Sequence, residues 1–406
     1  MSANLDRITR DLARLVEVPS ITGDEVAVQD VAAGIMASAG LVVERMSPDP
    51  VSFVSDPAYP GTEMPRIDLP IVVGRISGSH PGPRILLLGH VDVVPAGDPA
   101  TWTTPPFEPR VTDGQMFGRG ACDMKAGVAA MFEAVRLVAG TDLAGELVVV
   151  TVPSEEDGGL GTLAAIRSGV AADLAIIPEP TDLAIVVAHA GAITFELSVP
   201  GRAAHASTRR QGVSALDKLS YLVQALVGDE TRRNAAETDP IMTALGLPYP
   251  TIVGTVAGGD WASTVMDRVV ANGRYGVRLG QTPAEAGEEL ITAVTDAWDK
   301  DEFLSQHPVG VRVWGAAFGS ARVADDHSLP TGLAASVERV TGQRPPLVGA
   351  PYGADMHLLV NVAGIPTVMY GPGSVLVAHS ANEHVDLVDV ATCAEVLANW
   401  IRTLLA

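Results

Sequence analysis

Five segments of the chain place a histidine or an acidic residue at, or just beyond, the end of an apolar run. The segments are GHVD at His90, GACDMK at Asp123, PSEEDGG at Glu155 and Glu156, IPEPT at Glu179, and AHSANEH at His379. Short runs rich in Val, Ile and Leu predict buried strands at residues 85–88, 147–152, 174–177 and 366–370. Ligands gather where the strands of an open α/β sheet end, so these polar residues are expected to lie together. The pattern predicts a site for two metal ions.

The residue types indicate which ions such a site would take. Two histidines and three carboxylates suit Zn²⁺, Co²⁺ or Mn²⁺, whereas a structural zinc site favours thiolates. In His90-Val91-Asp92 the period of a strand puts both polar side chains on one face. Asp92 could then accept the imidazole N–H of His90 while the other ring nitrogen binds metal. Each segment alone is also typical of a polar strand end, a helix N-cap or an acidic loop, and only their combination favours metal binding.

Glu155 and Glu156 follow a fully apolar strand, and they are expected to do different work. Adjacent side chains in an extended segment point in opposite directions. One carboxylate could therefore bind a metal ion while the other faces the bound water as a general base.

Composition excludes several classes of partner. The chain has 406 residues, of which 47% are hydrophobic, and this length favours two domains. A formal net charge of −21 disfavours nucleic acid and anionic membrane surfaces. Residues 1–20 predict an amphipathic helix rather than a signal peptide, and no run is long enough to span a membrane. With only Cys122 and Cys393 there is no disulfide framework, so a cytoplasmic location is expected.

The pattern of predicted strands and helices changes twice along the chain. Strand-like and helix-like runs alternate up to about residue 187, as in a βαβ sheet, and the same pattern returns after residue 320. Between them, alternating strands and two helices predict an α+β module with one solvated sheet face. We therefore expect a catalytic domain of residues 1–188 and 317–406, interrupted by a lid of residues 189–316. The Pro-rich residues 56–70 are expected to form a surface loop.

The chain resembles the co-catalytic zinc aminoacylases and exopeptidases, a family that includes acetylornithine deacetylase, succinyl-diaminopimelate desuccinylase and glutamate carboxypeptidase. The resemblance is closest to the acetylornithine deacetylase-like members. It implies a zinc-exopeptidase-like α/β catalytic domain, with a mixed central sheet flanked by helices, interrupted by an α+β lid or dimerisation domain. The matching motifs run in family order along nearly the whole chain: GHVDVVPAGD, WTTPPFEP, GRGACDMKAG, PSEEDGG, PEPT, GRAAHAS, YGADM, GPGS and AHSANEHV.

The resemblance also implies a role for each metal-binding residue. Asp123 would bridge two divalent ions, most simply Zn²⁺. His90 and Glu179 would complete one metal site, and Glu156 and His379 the other. Both ions would be held by these five side chains together.

Further residues acquire roles only from the resemblance. Glu155 would be the general base and then the acid, and Asp92 would orient His90. His205, in the lid, would hold the developing oxyanion, either in the site of its own subunit or in that of the other subunit of a homodimer formed through the lid. Arg278 would pair with a substrate carboxylate. A cis peptide is expected between Asp123 and Met124.

The implied activity is hydrolysis of the amide bond of an N-acyl amino acid by a metal-activated water. A metallo-dipeptidase or carboxypeptidase and a desuccinylase remain alternatives, since they differ around the metals rather than at them. A hydrolytic deaminase and a non-catalytic metal-bound scaffold are further alternatives, although degenerate relatives usually lose a ligand or the base first. Several positions depart from a typical acetylornithine deacetylase and bear on the substrate: Ala190, Arg209, Ser214, Ala262-Ser263-Thr264 and His357.

Overall fold

The computed structural model describes residues 2–405. The helices are α1 (Leu5–Val16), α2 (Val26–Ser38), α3 (Lys125–Val138), α4 (Leu160–Arg167), α5 (Ala215–Ala235), α6 (Pro240–Thr243), α7 (Pro283–Trp298), α8 (Ser328–Thr341), α9 (Met356–Asn361) and α10 (Leu387–Leu405). The strands are β1 (Val42–Met46), β2 (Ile71–Ser77), β3 (His80–His90), β4 (Arg110–Thr112), β5 (Gln115–Phe117), β6 (Ala144–Val152), β7 (Leu174–Ile177), β8 (Ile185–His189), β9 (Gly191–Pro200), β10 (Thr251–Gly258), β11 (Arg268–Val277), β12 (Gly310–Phe318), β13 (Ala321–Arg322), β14 (Leu347–Ala350), β15 (Thr367–Met369) and β16 (His384–Asp386).

The described chain divides into two compact units. The first contains the residues up to Val187, Arg322–Val348, and those from Asp355 onward; the second contains Ala188–Ala321 and Gly349–Ala354. No helix in residues 2–405 is both long enough and apolar enough to cross a membrane.

The first unit is built on a mixed sheet. Its strand order runs β1-β2-β6-β3-β7-β15-β8, with parallel pairing through β6, β3, β7 and β15 and antiparallel pairing toward both ends. The inner strands carry continuous buried apolar runs, because helices cover a parallel sheet on both faces. The predicted strands at residues 85–88, 147–152, 174–177 and 366–370 all coincide with strands of this sheet, and the mixed α/β fold class is confirmed.

The parallel centre of this sheet determines where the polar residues gather. Strand β3 ends at His90, β6 ends at Val152, β7 ends at Ile177 and β15 ends at Met369. Parallel strands place their carboxyl ends on one edge, so the loops that follow them all leave from that edge. The acidic turn after β6 and the Glu179 loop after β7 therefore begin close to His90.

The second unit has a four-stranded antiparallel sheet in the order β10-β11-β9-β12. Along β9 the side chains of Ile193, Phe195 and Leu197 are fully buried beneath α5 and α7, while the intervening residues point to the other face. Each such side chain contributes about 1.5–3 kcal/mol through burial. A capping box between Thr282 and Glu285 fixes the start of α7. This is the α+β module with one covered sheet face.

Candidate metal centre

Two groups of potential metal ligands share one carboxylate. His90, Asp123 and Glu179 form the first group, and Asp123, Glu156 and His379 form the second; within each group the ligand atoms lie within 4.8 Å of one another. The Nε2 atom of His90 is 3.2 Å from Oδ1 of Asp123, and the Nε2 atom of His379 is 3.5 Å from Oδ2. The two oxygens of Asp123 thus face different histidines, the arrangement that a bridging carboxylate requires.

The other ligand contacts follow the same division. His90 Nε2 lies 3.9 Å from Oε2 of Glu179, and His379 Nε2 lies 3.1 Å from Oε2 of Glu156. His90 and Glu179 are buried, whereas the side chain of His379 is 52% exposed. The second group is therefore the one open to solvent within this unit.

Close backbone approach positions Glu179. Gly127 of α3 lies so near the Pro178 loop that a Cβ atom there would be 1.9 Å from the carbonyl oxygen of Pro178. Only glycine allows α3 to pack this tightly against the loop. The prolines on either side of Glu179 stiffen its backbone further.

The loop before Asp123 is held by Glu383, a residue to which the sequence assigned no role. Its Oε1 accepts the backbone N–H groups of Cys122 and Asp123, both at 2.9 Å, and its Oε2 accepts the N–H of Gly120 at 3.0 Å. The Arg119 guanidinium donates to the same Oε2 at 2.5 Å, and Glu383 is fully buried. Because His379 lies four residues before Glu383, this carboxylate ties the His379 loop to the Asp123 loop. The peptide between Asp123 and Met124 is cis, as the resemblance implies.

Asp92 contacts both neighbouring parts of the site. The Nδ1 atom of His90 lies 2.9 Å from the main-chain oxygen of Asp92 and 3.6 Å from its Oδ1. The main-chain contact fixes the proton on Nδ1 of the neutral ring, which leaves the Nε2 lone pair for a metal. The carboxylate itself accepts the N–H groups of Glu155 and Glu156, both at 3.1 Å. Asp92 thus holds the acidic turn as well as contacting His90.

The acidic turn differs from its expected shape. Glu155 and Glu156 were expected in an extended segment, but they lie in a turn of residues 155–158, which two residues separate from the end of β6. Both carboxylates face the site: Oε2 of Glu155 is 4.0 Å from His90 Nε2, and Glu156 contacts His379. The turn forms because Asp92 accepts their two successive N–H groups, which an extended strand would direct to opposite sides.

The Pro-rich residues 56–70 are only partly the surface loop that their composition predicts. Arg66 is buried and pairs with Glu25 at 2.9 Å and with Asp157 at 3.1 Å. Thr62 donates to the other oxygen of Asp157 at 2.5 Å. The loop therefore folds inward, because its one guanidinium pairs with Glu25 and with Asp157 of the acidic turn.

The electrostatics of the site are dominated by buried carboxylates. Burial raises the pKa of Glu155 and of Glu179 well above the usual range, and it raises the pKa of Glu156 as well. Burial also opposes ionisation of Asp123, but contacts with His379 and His90 outweigh it and hold the pKa of Asp123 below its usual range. Hydrogen bonds to Asp123 and Glu156 raise the pKa of His379 to about 10.

The residues fit two divalent cations. The Oε1 atom of Glu179 is buried and makes no hydrogen bond with any residue in the described part of the chain. A buried carboxylate oxygen without a partner is costly unless a cation accompanies it. The imidazole and carboxylate donors are those that Zn²⁺, Co²⁺ and Mn²⁺ accept.

Two predicted site residues lie in the second unit. His205 is exposed and caps a short 3₁₀ helix, Ala206–Gln211, by accepting the backbone N–H of Ser207 on Nδ1 at 3.2 Å. Arg278 follows β11, and its Nη2 donates to Oε2 of Glu289 at 3.2 Å. The roles of both residues in catalysis stay predictions.

The fold and the paired ligand groups define a metallohydrolase. The model of the family described as Peptidase family M20/M25/M40 matches residues 86–403, well over half of the chain. The chain belongs to this family. It is accordingly a hydrolase that acts on C–N amide bonds, and the resemblance inferred from the motifs is confirmed.

Several relatives match over most of the chain. A succinyl-diaminopimelate desuccinylase of Halorhodospira halophila is 28% identical over 414 residues, covering 98% of both chains. An N-formyl-4-amino-5-aminomethyl-2-methylpyrimidine deformylase of Bacillus subtilis is 28% identical over 371 residues, covering 84% of this chain and 83% of the relative. An acetylornithine deacetylase of Yersinia pseudotuberculosis is 27% identical over 319 residues, covering 78% of each.

The fold also matches a solved structure. The M20 family metallo-carboxypeptidase Sso-CP2 of Sulfolobus solfataricus aligns with a TM-score of 0.76 and 16% identity, covering 98% of this chain and 99% of that one. At this identity the match establishes the fold alone.

Metal binding should release protons near neutral pH. In the metal-free protein the pKa of His379 is about 10, so its ring is protonated at pH 7.5 and must lose a proton to bind a cation. The raised pKa values of Glu155 and Glu179 add to the release. Calorimetric titration of Zn²⁺ in buffers of different ionisation enthalpy should show release of one or more protons, with the His379 share fading as the pH approaches 10. An enthalpy that is independent of the buffer would contradict this electrostatic description.

Replacing Glu383 with glutamine should weaken both the fold and the metal site. The amide has only one oxygen acceptor, so its N–H₂ group would face backbone N–H or guanidinium donors with which it cannot form hydrogen bonds. Arg119 would also lose its buried negative partner, and together these effects should lower the free energy of unfolding by about 3–5 kcal/mol. Urea unfolding of the metal-free protein and Zn²⁺ affinity would measure the two effects. The control is Glu338→Gln, because Glu338 forms an exposed pair with Arg344 and should change stability by less than about 0.5 kcal/mol. Equal values for the two variants would show that Glu383 does not hold the site.

Proposed function

We propose that this chain is an N-acyl amino acid deacylase of the acetylornithine deacetylase-like type. The observation that carries the proposal is Asp123, whose two oxygens face two histidines, with Glu155 beside the His90 group. The names of three relatives support an acyl group as the part removed, since they are a deformylase, a desuccinylase and a deacetylase. A metallo-dipeptidase or carboxypeptidase would use the same ligands and remains the alternative.

The metal ligands follow from the two groups. His90 and Glu179 would hold one divalent ion, Glu156 and His379 the other, and Asp123 both. The proposed ion is Zn²⁺, with Co²⁺ and Mn²⁺ as the alternatives. Bound there, the ions would polarise the scissile carbonyl and make water a stronger nucleophile at neutral pH. Asp92 keeps the Nε2 atom of His90 available by accepting the Nδ1 proton at its main-chain oxygen.

Glu155 is the proposed general base. Its carboxylate lies beside the first ligand group without belonging to either, so it is free to take a proton from the attacking water. Burial raises the pKa of Glu155 well above the usual range, which suits a group that must then return the proton to the leaving amine nitrogen. Asp92 fixes the position of Glu155 through its backbone N–H.

His205 is the proposed donor to the oxyanion of the tetrahedral intermediate. Because its Nδ1 accepts the N–H of Ser207, the neutral ring carries its proton on Nε2, where it can be donated to an oxygen. A donor of this kind stabilises charge that develops only during reaction. We propose, with this role, that the second unit acts as a lid and forms a homodimer.

Arg278 remains a proposed partner for a substrate carboxylate, although Glu289 already occupies its guanidinium. The same Glu289 contacts Arg232 and Arg233, so the site of Arg278 is an ion-pair cluster. Substrate would have to compete with Glu289 for this arginine.

Replacing Glu155 with glutamine should abolish most of the activity while leaving metal binding intact. The assay is release of free amine from a panel of N-formyl, N-acetyl and N-succinyl amino acids and simple dipeptides by Zn²⁺-loaded protein. Loss of a general base should lower kcat by about 10²–10⁴-fold, whereas Glu338→Gln should match the wild type. The metal content of both variants should stay at two ions per chain.

The same panel separates the candidate activities. Turnover of N-acyl amino acids in preference to dipeptides supports the deacylase, and the reverse preference supports the dipeptidase. Two bound ions with no turnover of any compound would refute both.

A further inference from the structure

Two adjacent arginines of the second unit, Arg209 and Arg210, have no side-chain partner in the described chain, whereas most other arginines of this unit do. Within residues 2–405, neither Arg209 nor Arg210 makes a hydrogen bond or an ion pair through its side chain, and both are exposed. Both residues line a groove of about 480 Å³. In a chain of net charge −21, two unpaired cations on one groove are an unusual concentration of positive charge.

Most other arginines of this unit are already engaged. Arg232 pairs with Asp229 and Glu289, Arg312 pairs with Glu196 at 3.1 Å, and Arg278 pairs with Glu289. Arg202 donates to the carbonyl of Gln211 at 3.1 Å. Arg268 is also exposed and unpaired in the described chain, but it lies outside the groove.

The groove begins next to the proposed oxyanion donor. Ala206, the residue after His205, lines it, as does Thr264, which forms a β-bridge with His205. Asp217 is the one acidic residue of the lining. Its backbone N–H donates to the hydroxyl of Ser214, which also lines the groove. Two guanidinium groups against one carboxylate leave the lining with a net positive charge.

We propose that Arg209 and Arg210 bind a carboxylate of the substrate, so that this groove, rather than the ion-paired Arg278, selects for an acidic N-acyl compound. The inference rests on the proposed function, in which His205 serves the reacting amide. A guanidinium matches a carboxylate through two parallel N–H···O bonds, and Thr264 adds a hydroxyl to the lining.

The carboxylate has two possible sources in an N-acyl amino acid. It is either the α-carboxylate of the amino acid or the free end of a dicarboxylic acyl group such as succinyl. Both present the same planar anion, and matched substrates distinguish them.

The test compares the double variant Arg209→Ala/Arg210→Ala with the control Arg268→Ala. Both are assayed on three substrates built on the amino acid that the wild type releases fastest from the panel. These substrates are the N-acetyl amino acid, the same compound with its α-carboxylate replaced by a carboxamide, and the N-succinyl amino acid. Exposed charge-assisted hydrogen bonds should make the double variant at least about tenfold lower in kcat/KM on the substrate that carries the recognised carboxylate. Arg268→Ala should stay within about twofold of wild type on all three, since it lies outside the groove.

The pattern of loss identifies the source. Loss on the N-acetyl form but not on its carboxamide assigns the α-carboxylate, and a larger loss on the N-succinyl form assigns the acyl carboxylate. Three outcomes would overturn the proposal. The double variant could lose as much kcat/KM on the carboxamide as on the N-acetyl form, it could lose none on any substrate, or the selective loss could occur in Arg278→Ala instead. The Arg209→Lys/Arg210→Lys variant should recover part of the loss, because it keeps charge without the planar fork.

A binding measurement separates failure of this inference from failure of the proposed function. If wild-type protein hydrolyses none of the panel, the deacylase assignment fails, and calorimetric binding of succinate and N-acetylglycine to the wild type and to the double variant then isolates the contribution of the groove. Weaker binding to the double variant, by about fivefold or more, would support carboxylate recognition. Equal binding to both proteins, or a preference for inorganic phosphate over both carboxylates, would overturn it.

Discussion

The interaction on which the site depends is the mutual repulsion of carboxylates that the fold buries together. Asp123, Glu155, Glu156 and Glu179 approach one another at the carboxyl edge of the first sheet, with two imidazoles between them. Burial makes each negative charge costly, as the raised pKa values of three of the four carboxylates indicate. Divalent cations bound there would relieve this repulsion and make the cluster reactive, and the stability and the chemistry of the protein would then be coupled at the same residues.

Hydrogen bonds to two further carboxylates, Glu383 and Asp92, hold the loops that carry these side chains. Glu383 accepts three backbone N–H groups of the Asp123 loop, and Asp92 accepts two from the acidic turn. Arg119 pairs with Glu383, and Arg66 pairs with Asp157 of the acidic turn. The loops that carry the ligands are therefore held by hydrogen bonds from their main-chain N–H groups to these two carboxylates.

The features that could be predicted from the sequence are those that depend on neighbouring residues. Short apolar runs ending in His90 or before Glu155 and Glu179 indicate both the strands and the edge where their polar ends meet, because strand period and burial act over a few residues. The family motifs added the partition of ligands around Asp123, which no spacing rule supplies.

The residues that were missed act over long separations. Glu383 meets Arg119 across 264 positions, and Arg66 meets Asp157 across 91, so nothing local marks either one. The turn at Glu155 was missed for the same reason, since its N–H acceptor is Asp92, 63 residues earlier. The composition of the Pro-rich residues 56–70 predicts a surface loop, but the ion pair between Arg66 and the distant Asp157 draws part of the loop into the interior.

The central claim is that Asp123 lies between two metal ions, and X-ray absorption at the zinc edge tests it most directly. Protein reconstituted with two equivalents of Zn²⁺ should show zinc bound by nitrogen and oxygen, with a second zinc at ~3.5–4 Å. The Asp123→Asn variant should lose that metal–metal signal. One zinc per chain at saturation, or two without a metal–metal signal in the wild-type protein, would contradict the account.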